Sequence, residues 1–161
     1  MAVTLGVVLA ISGAGLALGT AGLCTAYALK IAGVAGAGAV AEKKENFKSA
    51  MILQALPQTQ TVYAFIIALL ILMGAGLVGG GVKELTTMQG LAMLGAGVIV
   101  AITATSAIMQ GLVSTAGIIS CIKNPDAFAP SIVFSGQCET PAIFGFIASL
   151  ILLVVGLGVL G

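Results

Sequence analysis

Four apolar stretches, at about 2–41, 48–79, 87–122 and 129–160, take up nearly the whole 161-residue sequence. Each exceeds the roughly 20 residues that cross a bilayer core. In hydrocarbon a backbone amide or carbonyl finds no water, so long continuous apolar stretches close their hydrogen bonds internally as helices. Composition agrees: 60% of residues are hydrophobic and 7% charged, against about 25% charged in soluble domains. A water-facing globular protein is excluded. So is a nucleic-acid binder, which needs a basic surface for phosphates, because the net charge is +1 and there is no Arg. The expected fold is an all-α membrane protein with four transmembrane helices.

Polar breaks separate the stretches: AEKKENFK at 41–48, GGGVKELTTMQ at 79–89 and KNPDAF at 123–128. The two halves repeat. GAG at 13–15 recurs at 95–97, Gly36 aligns with Gly117, and ENF at 45–47 matches DAF at 126–128. QTQTVYAFIIALLIL at 58–72 aligns without gaps on ETPAIFGFIASLILL at 139–153. A shift of about 81 residues over the chain means two tandem copies of a helical hairpin, 1–80 and 81–161. Parallel copies put loops 41–48 and 123–128 on one side of the membrane. That side holds Lys43, Lys44, Lys48 and Lys123, the other only Lys83. The positive-inside bias makes these loops cytoplasmic and leaves both termini outside.

Glycine crowds the first stretch, with Gly6, Gly13, Gly15, Gly19, Gly22, Gly33, Gly36 and Gly38, and is missing from 48–73. Small residues let helix backbones approach closely in lipid. The first and third helices therefore form a tight inner layer, the second and fourth an outer one. Two arrangements use such small residues: self-assembly of copies into a ring, or close packing within one chain. Cys24, Cys121 and Cys138 lack CxxC spacing and have no His nearby, so they act as small apolar residues rather than a disulfide or metal framework.

Glu139 is the one acid inside an apolar stretch. A charge at membrane depth costs roughly 2.5–3.5 kcal/mol on insertion scales and usually marks an ion or proton site. The competing role is a protonated carboxyl fastening two helices. Its repeat partner is Gln58, so one carboxylate remains per two hairpins. In the second stretch Leu56, Thr59, Gln60 and Tyr63 recur at i, i+3, i+4 and i+7, one face of a helix. Pro57 lies within that face and disturbs the turn, exposing carbonyl oxygen. Gln110 adds an amide from the third stretch. One carboxylate, a hydroxyl, two amide oxygens and a carbonyl form an all-oxygen set, which suits a hard cation. A proton needs only the carboxyl and one acceptor, so the additional oxygens favour Na⁺. These same polar groups could instead hydrogen-bond between helices. Lys30, in the first helix, either snorkels to the surface or pairs inside the protein.

With these residues in view, the sequence resembles the duplicated rotor-ring proteolipid (the K or c type) of V-type rotary ATPases, along essentially its full length. LPQTQTVYAF at 56–65, MQG at 109–111 and ETPAIFGF at 139–146 are similar to the sodium-translocating bacterial branch. The resemblance implies a homo-oligomeric ring whose Na⁺ is coordinated by the Leu56 carbonyl, the Thr59 hydroxyl, the Gln60 and Gln110 amide oxygens and the Glu139 carboxylate. Tyr63 matches the tyrosine that hydrogen-bonds the glutamate. Pro141, two residues after the acid, departs from the family pattern and alters the local helix.

The resemblance further implies a stator membrane subunit that supplies an Arg to the ion-free carboxylate, and a central-stalk subunit docked on loops 41–48 and 123–128. It implies a plasma-membrane location and no organic cofactor. The chain itself is expected to be non-catalytic: no GxxxxGK[ST] phosphate loop occurs. Two rival expectations stand beside it, a proton-translocating ring subunit and a four-helix membrane protein whose Glu only fastens helices.

Overall fold

The computed structural model describes residues 4–79 and 81–157, and the described residues are helical without a strand. Helix α1 spans Leu5–Glu42. A 3-10 turn at Lys44–Asn46 leads into α2, Phe47–Ala55, and a second at Leu56–Gln58 joins it to α3, Thr59–Gly74. Helices α4, Thr87–Thr103, and α5, Ser106–Lys123, follow. A third 3-10 turn, Pro125–Ala127, opens α6, Phe128–Gln137, and α7 is Thr140–Leu157. Together these form four rods, Leu5–Glu42, Lys44–Gly74, Thr87–Lys123 and Pro125–Val155, each long and apolar enough to cross a membrane. The chain is a multi-pass membrane protein, as its four apolar stretches predict. The expected helix ends at 2–3 and 158–160, and Gly80 in the break between hairpins, lie outside the described residues.

Local chemistry sets the ends. The second stretch is expected to reach 79, but α3 stops at Gly74. Gly76 adopts φ +74°, while the Leu77 amide reaches the Leu72 carbonyl at 2.9 Å and the Gly76 amide reaches Met73 at 3.0 Å. This is the glycine-dependent Schellman cap that satisfies the last carbonyls. Helix α4 opens where the sequence predicts, at Thr87, because Thr86 and Gln89 form a reciprocal capping box. The second and fourth rods begin earlier than 48 and 129, since the 3-10 turns wind the loop residues onto the helices.

Three rods are interrupted. Pro57 sits in the turn between α2 and α3, and Pro141 follows the turn at Cys138–Glu139. Each lacks an amide and crowds the carbonyl four residues back. The third break, at Ala104–Thr105, has no proline. There the Thr103 hydroxyl lies 3.0 and 3.3 Å from the Ile99 and Val100 carbonyls and donates its one proton back to its own helix. Back-bonding of this kind bends helices.

The chain divides into two compact units, each drawing on both hairpins. The first takes Met1–Ala21, Thr61–Ala104 and Ala142–Gly161. In it α1 and α4 run parallel along a glycine seam, Gly6 facing Gly90 and Gly13 facing Gly97. A Cβ added to Gly13 would lie 2.7 Å from the Met93 carbonyl oxygen, so no larger residue fits that approach. Ile67, Ile71, Met93 and Val100 fill this core, and Ser149 donates to the Ala96 carbonyl at 2.8 Å. The second unit takes Gly22–Gln60 and Thr105–Pro141. Leu53, Ile118 and Cys121 pack at its centre. Cys24 and Cys121 are buried free thiols. The first and third rods bury 39% and 44% of their apolar windows, the second and fourth 33% and 22%.

Candidate ion-binding site

Leu56, Thr59, Gln60, Gln110 and Glu139 all fall in the second unit. Pro57 creates the local geometry. The helical partner it removes is that of the Leu53 carbonyl, while the Leu56 carbonyl is presented by the tightened turn that follows. The chain tightens into a 3-10 turn, where the Thr59 amide reaches back to Leu56. The Thr59 hydroxyl approaches the same carbonyl at 3.1 Å and the Gln60 Oε1 at 3.2 Å. With one proton, it donates to one of these at a time. The predicted four-residue stripe is therefore not one unbroken helical face. Its first three members still converge, because the turn brings their oxygens together.

Gln60 and Gln110 are both fully buried. The Gln60 Nε2 donates to the Gln110 Oε1 at 2.7 Å, tying the start of α3 to α5. The Gln110 Nε2 is buried without a hydrogen-bond partner among the described residues. Four of the five predicted oxygen donors thus form one connected network.

Glu139 is half-buried in the turn between α6 and α7. Its amide reaches the Gly136 carbonyl at 3.0 Å, and the Cys138 amide reaches Ser135 at 3.1 Å, each bond spanning three residues. Its level relative to Gln110 follows from the packing of α5 on α6. Ser114 and Ser135 share a 2.7 Å hydrogen bond, and Gly117 faces Ser131. The two helices are antiparallel, so a step back along α5 matches a step forward along α6. Gln110 is one turn before Ser114 and Glu139 one turn after Ser135. The amide on α5 and the carboxylate-bearing residue in the turn after α6 therefore stand at one level.

Tyr63 belongs to the first unit, where its ring stacks on Phe146 with centroids 5.3 Å apart. Gln58, the repeat partner of Glu139, is exposed, and so is Lys30. Sequence reasoning missed Thr25, whose buried hydroxyl donates to the Pro57 carbonyl at 3.1 Å and holds the broken turn against α1. It also missed Ser114 and Ser135. The available signal was the spacing of Ser131, Ser135 and Glu139, at i, i+4 and i+8 on one helical face.

A single carboxylate among neutral oxygens can hold one positive charge and become neutral overall, which membrane depth favours. The sequence profile of the family described as the C subunit of ATP synthase matches residues 12–71 and again 94–152, one match in each hairpin. The chain is 39% identical over 142 residues to the A-type ATP synthase subunit K of Methanocaldococcus jannaschii, covering 88% of this chain and 60% of that protein. It is 38% identical over 132 residues to the V-type sodium ATPase subunit K of Enterococcus hirae, covering 81% of each. The duplicated hairpin, the four membrane rods and the matches in both halves lead to one conclusion: this chain belongs to the family of the ATP synthase C subunit.

Proposed function

We propose that the chain is a rotor-ring subunit of a V-type rotary ATPase and carries Na⁺ across the membrane as the ring turns. The observation that carries this reading is the network joining the Leu56 carbonyl, Thr59, Gln60 and Gln110, with Glu139 at the level of Gln110. Five oxygens from these residues would take the ion, and Tyr63 would steady the carboxyl. A proton would leave most of these oxygens without a task. The sodium ATPase relative supports the choice of cation.

Charge explains the cycle. Glu139 with Na⁺ is neutral and tolerates lipid; without the ion it is costly there and needs a cation from outside this chain, which has no Arg. A stator subunit supplies that Arg. Moving each ion against 100 mV costs about 2.3 kcal/mol, drawn from ATP hydrolysed in other subunits, while this one is non-catalytic. Copies pack through α1, where Gly15, Gly19 and Gly22 leave room for added atoms, a surface suited to a second backbone. Loops 41–48 and 123–128 face the cytoplasm and meet the central stalk, both termini face outward, and the membrane is the plasma membrane.

The test is carbodiimide labelling of Glu139 in the detergent-solubilised protein, with NaCl or with KCl at equal ionic strength. The reagent attacks protonated carboxyls, so bound Na⁺ protects. Protection by NaCl alone is the expected result. Labelling that follows pH and ignores Na⁺ would make this a proton carrier, and no labelling would leave Glu139 a packing group.

A further inference from the structure

Three of the six hydroxyls on α5 and α6 spend their proton on their own rod. Thr115 donates to Gly111 at 2.8 Å, Ser120 to Ala116 at 2.9 Å and Ser131 to Ala127 at 2.7 Å. Ser114 and Ser135 bond across the interface instead, at 2.7 Å, and both are fully buried. We propose that this pair is a positioning element, which fixes the register of α5 on α6 and so keeps Gln110 level with Glu139. The inference rests on the sodium-site reading above.

The backbone explains why such an anchor is needed. Beyond Gln137 the helix is interrupted, and Pro141 offers no amide to rebuild it. Ser135 stands at the last turn before the break. Its side chain is fixed to α5, and its carbonyl accepts the Cys138 amide that shapes the turn under Glu139. One residue thus couples the neighbouring helix to the segment that carries the carboxyl. On α5, Ser114 lies one turn from Gln110, so a register shift at the pair moves both partners of the site. The first hairpin bridges the matched interface differently. Gln54, the repeat partner of Ser135, extends over Gly33 and donates to the Leu29 carbonyl at 3.3 Å, and the position matching Glu139 is the exposed Gln58. The serine pair occurs in the hairpin that has an acid to place.

Ser114→Ala, Ser135→Ala and the double variant test this in the intact solubilised oligomer. The readouts are the NaCl concentration that half-protects Glu139 from carbodiimide and the temperature at which the oligomer dissociates. Each single change is expected to raise the half-protecting NaCl about three- to tenfold, with the double change no worse than either single, because removing one partner already removes the bond. Ser135→Cys, nearly isosteric with a weaker donor, is expected to fall between wild type and alanine, and it keeps the test available should an alanine variant assemble poorly. Unchanged protection in all variants would overturn the positioning role, as would lower dissociation temperatures with unaltered sodium dependence. Wild-type labelling indifferent to NaCl would overturn the sodium reading, and this inference with it.

Discussion

Gly117→Ala and Gly36→Ala place the same methyl at matched positions of the two hairpins, and the structure assigns them opposite outcomes. Both glycines are buried within the chain. A Cβ at Gly117 would lie 2.7 Å from the Ser131 Cβ, 3.0 Å from its Oγ and 3.3 Å from Leu53 Cδ1. None of these is the free end of a long side chain, so α5 and α6 must separate. Overpacking of this kind costs about 1–3 kcal/mol. Separation also strains the Ser114–Ser135 bond, worth about 0.6–1.7 kcal/mol between membrane helices. Better helix propensity returns about 1 kcal/mol. The net expectation is a loss of roughly 0.6–3.7 kcal/mol. Where about 1.4 kcal/mol of that falls on the alignment of Gln110 with Glu139, the half-protecting NaCl rises tenfold. At Gly36 the nearest atom is the Ala50 Cβ at 3.4 Å, ordinary contact. The propensity gain then stands alone, and Gly36→Ala is neutral to slightly stabilising. Thermal dissociation of the solubilised oligomer and sodium protection of Glu139, measured side by side, decide it. Equal tolerance at the two positions, or greater damage at Gly36, would refute the packing argument.

Other outcomes follow from the same geometry. Glu139→Gln is expected to abolish carbodiimide labelling at that position, and sodium transport in vesicles reconstituted with the whole rotary complex, while leaving assembly intact. Gln60→Leu removes one oxygen donor and leaves the Gln110 carbonyl oxygen without its 2.7 Å donor, costing about 1–3 kcal/mol; sodium protection of Glu139 should weaken at least tenfold. Thr25→Val keeps the shape but loses the bond to the Pro57 carbonyl, so a stability loss of about 0.5–1.5 kcal/mol is expected in thermal dissociation.

How much of this was legible depended on whether the cause was local. The four rods, the repeat and the turn at Pro57 are written in runs of residues and in a missing amide, and a reader of the chain finds them. The disturbance at Pro141 is equally local. The interruption at Ala104–Thr105 is not, because a threonine that back-bonds to its own helix looks like any other threonine until the backbone is seen. At the site, the oxygen-bearing side chains could be named from their rarity in an apolar stretch. The Leu56 carbonyl is named from the family resemblance, and its contact with the Thr59 hydroxyl is visible only in the folded turn. Thr25 and Ser114 escaped notice because a lone hydroxyl on a membrane helix gives no pattern, and its meaning lies in a partner 32 or 21 residues away, whereas Ser135 shares a helical spacing with Ser131 and Glu139.

If the chain works as the rotor subunit proposed above, the pairing of Glu139 with Gln58 across the repeat has a mechanical consequence. The circumference of a ring is set by how many helices stand around it, whereas the ions moved per revolution are set by its acids. A unit that keeps one carboxylate for every four rods gears the rotor low. The same circumference built from single hairpins, each with its own acid, would move twice as many ions in a turn. For a fixed amount of work per revolution, fewer passengers mean that each can be lifted against a steeper electrochemical gradient. Under that proposal, one acid per duplicated hairpin exchanges throughput for lifting force.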